Sequence, residues 1–286
     1  MKPAQFSYYR AGDVAEALDL LAGFDGEAKL LAGGQSLVAM MNFRLARPPA
    51  LIDITRIAGL NYLRAGPDGL RIGALTPHRA VETTRDPAVL DGFGVLPRSA
   101  HWIGHYPIRV RGTFGGSIAH ADPSADMPAV MLALNAEIHL KGPNGRRVVK
   151  AADFFKDLFT VDMAADEIIV SVQFAPVRTA AYAKLYQRAS HFAIVGVAAA
   201  FEVSGGTIVS ARIGLTGAAS HARRLINVEQ ALAGQPLSNE VIGRAAQVAG
   251  LDLQDVNSDI HASADYRRAM IPVFTRRALT AAMARA

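Results

Sequence analysis

Thr113-Phe114-Gly115-Gly116-Ser117-Ile118-Ala119-His120-Ala121-Asp122-Pro123-Ser124-Ala125-Asp126 is the stretch on which the reading of this 286-residue chain turns. Its adjacent glycines let the backbone take dihedrals closed to other residues, and they let an anion approach the N–H groups closely. Thr113 and Ser117 add hydroxyl donors on either side. A second stretch of the same kind lies about 80 residues upstream, in Lys29-Leu30-Leu31-Ala32-Gly33-Gly34-Gln35-Ser36-Leu37. There the glycine pair falls between a short strand, 29–31, and a helix, 37–42, where N–H groups point outward and the helix dipole favours anions. Two such turns could grip one pyrophosphate from two sides. Taken singly, each reads first as an ordinary turn. Neither has the spacing G-x-G-x-x-G after a strand or G-x-x-x-x-G-K-[ST], so an ordinary NAD fold and a P-loop nucleotide triphosphatase are disfavoured.

Outward from these turns the pattern is α+β. Val14, Ala17, Leu18 and Leu21 fall on one face of an opening helix, with Gly23 near its end. Leu51-Ile52-Asp53-Ile54 is a buried strand. From about residue 60 the pattern turns to strands, at 70–73, 137–140, 147–149 and 168–172, with Asn144-Gly145 as a hairpin signal. Between them, 123–134 reads as a helix with Asp122 as N-cap and Pro123 at its first position. Pro176 marks a boundary. Beyond it come three strands, 181–187, 195–201 and 208–215, the last two joined by Gly205-Gly206. Helices follow at 223–233, 239–249 and 264–284, and Pro272 is expected to kink or split the last. Strands followed by helices in one block are the α+β arrangement, and the length suits two domains.

The composition narrows the function. With 51% hydrophobic and 19% charged residues, the chain can bury a substantial core, and disorder is not expected. The net charge of +5 is scattered. Its clusters are pairs such as Arg146-Arg147, Arg223-Arg224, Arg267-Arg268 and Arg276-Arg277, with no basic block interleaved with aromatics. This favours a solvated surface, or one that docks an acidic partner, over nucleic acid. There is no cysteine, so thiolate-ligated iron–sulfur clusters, disulfides, thioether-linked flavin and Cys-rich zinc sites are excluded. The N-terminus lacks the apolar core of a signal peptide, and no apolar run reaches spanning length, so the protein is read as soluble and cytoplasmic.

Other constellations carry less. His101 and His105 stand at i and i+4 without the intervening Glu of a metalloprotease motif, a weak metal signal. G-x-S-x-G is absent, which disfavours an esterase-type nucleophile. Asp126 could accept hydrogen bonds from a ribose or an adenine. Trp102 and Tyr106 read as core residues before they read as cofactor contacts.

The two glycine stretches, with Leu51-Ile52-Asp53-Ile54 after the first, resemble the paired FAD signatures of the medium, flavin-binding subunits of molybdenum hydroxylases, the carbon monoxide and xanthine dehydrogenase flavoprotein family. Ala181-Tyr182-Ala183-Lys184-Leu185-Tyr186, Phe192-Ala193-Ile194-Val195 and Asp265-Tyr266-Arg267-Arg268 fit as well, so the resemblance covers essentially the whole chain. It implies a two-lobed FAD-binding domain of the vanillyl-alcohol-oxidase-like type over 1–176, with lobes of about 1–56 and 57–176. A C-terminal α+β domain, 177–286, would carry a three-stranded antiparallel sheet and a helical bundle.

The resemblance further implies non-covalent FAD held by Lys29, Leu31, Ala32, Gly33, Gly34, Gln35, Ser36 and Leu37 from the first signature. Thr113, Gly115, Gly116 and Ser117 would serve from the second. Ile103 and Ile169 would make apolar contacts to the cofactor, Asp126 would lie on the adenosine or ribityl side, and Lys184 near the flavin ring. Ser117 departs from the Asn of many relatives, keeping a donor but losing reach, and Gln35 stands where some have His. A small partner subunit would carry [2Fe–2S] clusters and a large one the molybdenum cofactor, with electrons leaving this FAD for an external acceptor. No residue of this chain is assigned as a substrate acid or base. The alternatives are a self-sufficient flavin reductase or oxidase of the same superfamily, and a non-catalytic nucleotide-binding or scaffold protein.

Overall fold

The computed structural model describes residues 1–188 and 191–286. The chain opens with β1 (Ser7–Arg10), α1 (Val14–Ala22), β2 (Lys29–Leu31), α2 (Leu37–Asn42) and β3 (Ala50–Asp53). The strands form a small parallel sheet in the order β1-β3-β2. Its central strand β3 is buried throughout, as an apolar strand flanked on both edges should be. Asp13 caps α1 by accepting from the Glu16 N–H at 2.9 Å, and the Glu16 carboxylate reaches back to the Gly12 N–H at 2.7 Å. These contacts satisfy backbone donors that the helix start leaves free. Ala17, Leu18 and Leu21 are its buried face, as their spacing predicts.

The middle of the chain is a five-stranded antiparallel sheet with helices inserted into it. After β4 (Leu63–Gly66) and β5 (Gly69–Gly73) come α3 (His78–Glu82), α4 (Pro87–Phe93), α5 (Val95–Ala100), α6 (Tyr106–Arg111), α7 (Phe114–His120) and α8 (Asp126–Ala133). Then follow β6 (Glu137–Gly142), β7 (Gly145–Lys150), α9 (Ala151–Phe154), the short pair β8 (Phe155–Asp157) and β9 (Thr160–Val161), and β10 (Ile168–Phe174). The sheet order is β4-β5-β10-β6-β7, with Gly142 opposite Gly145 across the Asn-Gly hairpin.

α8 starts three residues later than the expected helix. Asp122 does not cap it; its Oδ1 accepts from the Ser124 N–H at 2.8 Å and closes a turn. The reason is tertiary. The Pro123 carbonyl accepts from Thr216 Oγ1 and the Gly217 N–H, both at 2.8 Å, and the Ala125 carbonyl accepts from the same hydroxyl at 2.9 Å. The 123–125 backbone therefore serves the contact with the next sheet instead of a helical turn.

That sheet is β11 (Ala180–Leu185), β12 (Val195–Ser204), β13 (Thr207–Thr216) and the two-residue β14 (Arg223–Arg224), antiparallel in chain order. Gly205 and Gly206 both have positive φ, 56° and 78°, as a two-residue hairpin loop of this twist demands. The three expected strands are thus joined by a short fourth, and Arg223–Arg224 pair with Leu215 and Gly214 instead of starting a helix. Three helices complete the chain: α10 (Ile226–Leu232), α11 (Asn239–Gln247) and α12 (Ala264–Met283). α12 runs through Pro272 as one element, so the expected split into two short helices does not occur. Ile271, Phe274, Ala278, Leu279 and Ala282 bury a single stripe against β11 and β12, and this packing secures the helix on both sides of the proline.

The C-terminal sheet is covered on both faces. Val197, Ala199 and Phe201 pack into the cluster with α10–α12, while the alternate residues Ala198 and Ala200 join the core that contains α8. All eight residues of α8 are buried. Where β13 crosses α8, a Cβ on Gly214 would run into the Ala129 carbonyl and lie 3.1 Å from the Ala129 Cα. Among the described residues no helix is long and apolar enough to cross a membrane. Gly214→Ala is expected to lower unfolding stability by about 2–3 kcal/mol in urea titrations, through overpacking. Gly243→Ala on α11, where a Cβ meets open space, is expected to raise it by about 0.5–1 kcal/mol.

Candidate functional site

A cavity of about 1080 Å³ opens between the parallel sheet, helices α3 and α7, β10 and the end of β11. That is at the upper end of ordinary cofactor sites. The two glycine turns meet along it. A Cβ on Gly33 would collide with the Arg111 carbonyl and stand 2.8 Å from the Gly112 Cα; one on Gly116 would stand 3.8 Å from the Ala32 Cβ. Gly34 holds a left-handed φ of 70°. Gly115 sits directly on Ala74, donating its N–H to the Ala74 carbonyl at 2.8 Å. The Thr113 hydroxyl accepts from the Gly116 N–H at 3.2 Å and caps α7. Gly33 is thus required by the approach of one turn to the other and Gly115 by the approach to Ala74 at the end of β5, quite apart from any ligand.

Lys29, the run Ala32 to Leu37, Ile103, Thr113, Gly115, Gly116, Ser117, Asp126, Ile169 and Lys184 all line this cavity. Leu31 does not. Its carbonyl accepts from the Ile54 N–H at 3.1 Å, and its side chain packs beneath Gly34, so it supports the turn from behind.

Asp126 and Lys184 form a buried ion pair at 2.9 Å. The Lys184 ammonium also donates to the Trp102 carbonyl at 3.0 Å, and the Tyr182 hydroxyl donates to Asp126 at 2.5 Å. Burial pushes the Asp126 carboxyl up, opposed by the Lys184 charge and the Tyr182 hydrogen bond. Burial, with the Asp126 charge beside it, keeps the Tyr182 phenol protonated well above its usual range. Asp126 therefore spends its oxygens largely on β11. Its first effect is to join α8 to the C-terminal sheet at the cavity wall.

His78 is a lining residue that the sequence did not single out. It is 3% exposed, its Nδ1 is buried without a hydrogen-bond partner, and its pKa is lowered to about 4 by burial and by the Arg109 charge. A neutral buried histidine leaves no sequence signal that separates it from a surface one. His120 also lines the cavity, its ring 5.1 Å from that of Phe159, and burial lowers its pKa.

Trp102 and Tyr106, expected in the core, are on the surface at 37% and 59% exposure. His101 and His105 do not share a helix: one closes α5 and the other precedes α6. His101 Nδ1 lies 2.9 Å from Glu82, and among the described residues no group of three potential metal ligands forms. The arginine pairs are partly spent inside the chain. Arg147 binds Asp162 and Glu167, Arg224 binds Glu229, and the buried Arg267 binds Asp259.

The donor set suits a flavin dinucleotide. Glycine turns closed to side chains and three hydroxyl residues sit beside apolar walls at Ile103 and Ile169 and one buried ammonium. The family described as the FAD binding domain in molybdopterin dehydrogenase matches residues 4–176, and that of the CO dehydrogenase flavoprotein C-terminal domain matches 180–282. The chain belongs to this family and is an FAD-binding oxidoreductase component. It is 37% identical to the carbon monoxide dehydrogenase medium chain of Hydrogenophaga pseudoflava over 288 residues, which cover all of this chain and 99% of that one. A solved structure of the enzyme from that organism, lacking the Mo-pyranopterin moiety of the molybdenum cofactor, matches all of this chain and 99% of its own with a TM-score of 0.95. The 6-hydroxypseudooxynicotine dehydrogenase complex subunit alpha of Paenarthrobacter nicotinovorans is also 37% identical, over 290 residues covering all of this chain and 97% of that one.

Two outcomes follow from the buried groups. In the folded chain His78 stays neutral until about pH 4, whereas in the unfolded chain it takes a proton below about 6.5. Its contribution to stability is complete above pH 6.5 and is lost as pH falls, about 2 kcal/mol between pH 7 and pH 5. Urea titrations at those two pH values should show a correspondingly smaller difference in His78→Phe. Lys184→Met strands Asp126 in the interior and should cost about 3–5 kcal/mol at pH 7, part of which the double variant Asp126→Leu/Lys184→Met recovers.

Proposed function

We propose that this chain is the medium subunit of a three-part molybdenum hydroxylase, which takes electrons from [2Fe–2S] clusters of a small partner and delivers them to an external acceptor. The large partner holds the molybdenum cofactor and carries out substrate hydroxylation. The observation that carries the reading is the meeting of the two glycine turns, which brings their close-packed backbone and the hydroxyls of Ser36, Thr113 and Ser117 to one cavity. The absence of cysteine supports it, because the clusters then belong to another chain.

In this reading residues 1–176 form the FAD-binding domain and 177–286 close the cavity from the C-terminal side. Ala32 to Leu37 and Thr113 to Ser117 hold the diphosphate, Ile103 and Ile169 contact the cofactor's rings, and Lys29 and Lys184 place positive charge beside them. FAD, when bound, supplies the ability to accept electrons and to release them one or two at a time. The chain contributes binding, orientation and exclusion of water.

The purified chain, alone and with its partner subunits, should be examined by visible absorbance before and after acid precipitation. All flavin should appear in the acid supernatant, and substrate hydroxylation should require the partners. Gly33→Ala should weaken FAD binding tenfold or more, about 1.4 kcal/mol. Hydroxylation by the isolated chain, or no saturable FAD uptake even in the complex, would sink the proposal.

A further inference from the structure

The cavity wall at Ile103 and Gly104 lies outside any helix or strand, between α5 and α6. Gly104 there has a left-handed φ of 45°. The Ile103 N–H donates back to the Ala100 carbonyl at 3.2 Å, and Lys184 holds the neighbouring Trp102 carbonyl. The carbonyls of Ile103 and Gly104 themselves are both taken by one side chain: Arg109 Nη1 donates to them at 3.0 and 2.8 Å. The same guanidinium donates through Nε to Glu82 Oε2 at 2.8 Å.

Glu82 is the hub of the arrangement. Its side chain is 8% exposed, and that of Arg109 12%. It also accepts from Arg79 Nη1 at 3.0 Å and meets His101 Nδ1 at 2.9 Å. Arg79 in turn lies over the Tyr106 ring, 5.2 Å from its centroid. One carboxylate thereby gathers groups from α3, from the end of α5 and from α6. Burial pushes its carboxyl up, but the hydrogen bonds from His101, Arg79 and Arg109 outweigh burial and hold it below the usual range. It stays ionised and keeps its grip on Arg109. Glu82 stands one turn of α3 beyond His78, which lines the cavity, so the brace and the cavity wall share a helix face.

We infer that Glu82 and Arg109 are positioning residues for the cofactor: the carboxylate orients the guanidinium, and the guanidinium sets the Ile103–Gly104 wall, next to the Trp102 carbonyl that Lys184 holds, against the rings of FAD. This rests on the reading above that Ile103 faces the cofactor's rings. The demand is specific to arginine, whose rigid fork serves a carboxylate with one nitrogen and two carbonyls with another. A lysine keeps the charge but lacks the second nitrogen and the fork. Neither residue touches a substrate, and both act through the backbone they hold.

The test compares Arg109→Lys, Glu82→Gln and, as control, Arg85→Ala at an exposed position outside the brace, in the whole chain. Its readouts are FAD affinity by titration, the visible spectrum and midpoint potential of the bound flavin, and thermal unfolding without FAD. Arg109→Lys and Glu82→Gln should each weaken FAD binding about tenfold. Both should also shift the flavin bands and the potential, while Arg85→Ala matches wild type in all three. If Arg109→Lys unfolds, the near-isosteric Glu82→Gln carries the decision. Wild-type affinity, spectrum and potential in a folded Glu82→Gln would overturn the inference, as would lost affinity explained wholly by unfolding. A wild-type chain that takes up no FAD even with its partner subunits present would instead overturn the functional reading beneath it.

Discussion

The contact of Gly33 with the Arg111–Gly112 backbone is the constraint around which the rest of the molecule is arranged. Two turns about 80 residues apart lie edge to edge because Gly33 brings no side chain to the point where it meets the Arg111–Gly112 backbone. Everything between them has to return the chain to that contact: the parallel sheet on one side, and β4, β5 and the short helices on the other. Thr113 then fixes the direction of α7 through its cap, and Gly115 fixes the depth of α7 against β5. The cavity is the space left when these close approaches are satisfied. Its backbone lining is a consequence of steric need, and that lining is what suits it to a phosphate-bearing ligand.

A second layer of organisation is polar. The turn at 122–126 gives its carbonyls to Thr216 and Gly217, and its carboxylate to Tyr182 and Lys184. Buried polar groups are costly unless fully paired, and fully paired they fix one geometry among many apolar alternatives. Here they set the angle at which the C-terminal sheet meets α8, and with it the position of Lys184 in the cavity wall. The stretch whose sequence pattern pointed to a cofactor thus has two tasks: its first half builds the cradle and its second half locks the wall.

Much of this was legible because the signals are local. The glycine turns, the Asn144-Gly145 and Gly205-Gly206 hairpins, and the apolar stripe of α1 each declare themselves within a few residues. Elements whose reasons lie elsewhere in the chain stayed hidden. β1 is exposed at all four positions and shows no alternation; only its pairing with β3 makes it a strand. The helices from His78 to Arg111 are too short for a periodic stripe, and α6 buries none of its residues. Asp122 was read as a helix cap because the competing acceptors of 123–125 come from β13. Pro272 reads as a kink or a split, and the split is absent because the sheet that supports both sides of it is assembled from residues far upstream. In the site, Leu31 carries the cradle's pattern but lies behind the turn, against Gly34, instead of lining the cavity. His78 carries no pattern, and its meaning comes wholly from burial.

α8 belongs to the first part of the chain by position, yet it is enclosed by both parts. Its residues share a core with the five-stranded sheet, and with Ala198, Ala200 and Ala222 of the C-terminal region. During synthesis, the face of α8 that receives β12 and β13 therefore stays uncovered until some eighty further residues have been made. For that interval the nascent chain presents an apolar helix with no lid of its own. The first 176 residues are in this respect an unfinished body: their outer wall is the last sheet to arrive. The cavity cannot acquire its Lys184 wall, nor α8 its cover, before the ribosome has delivered most of the chain.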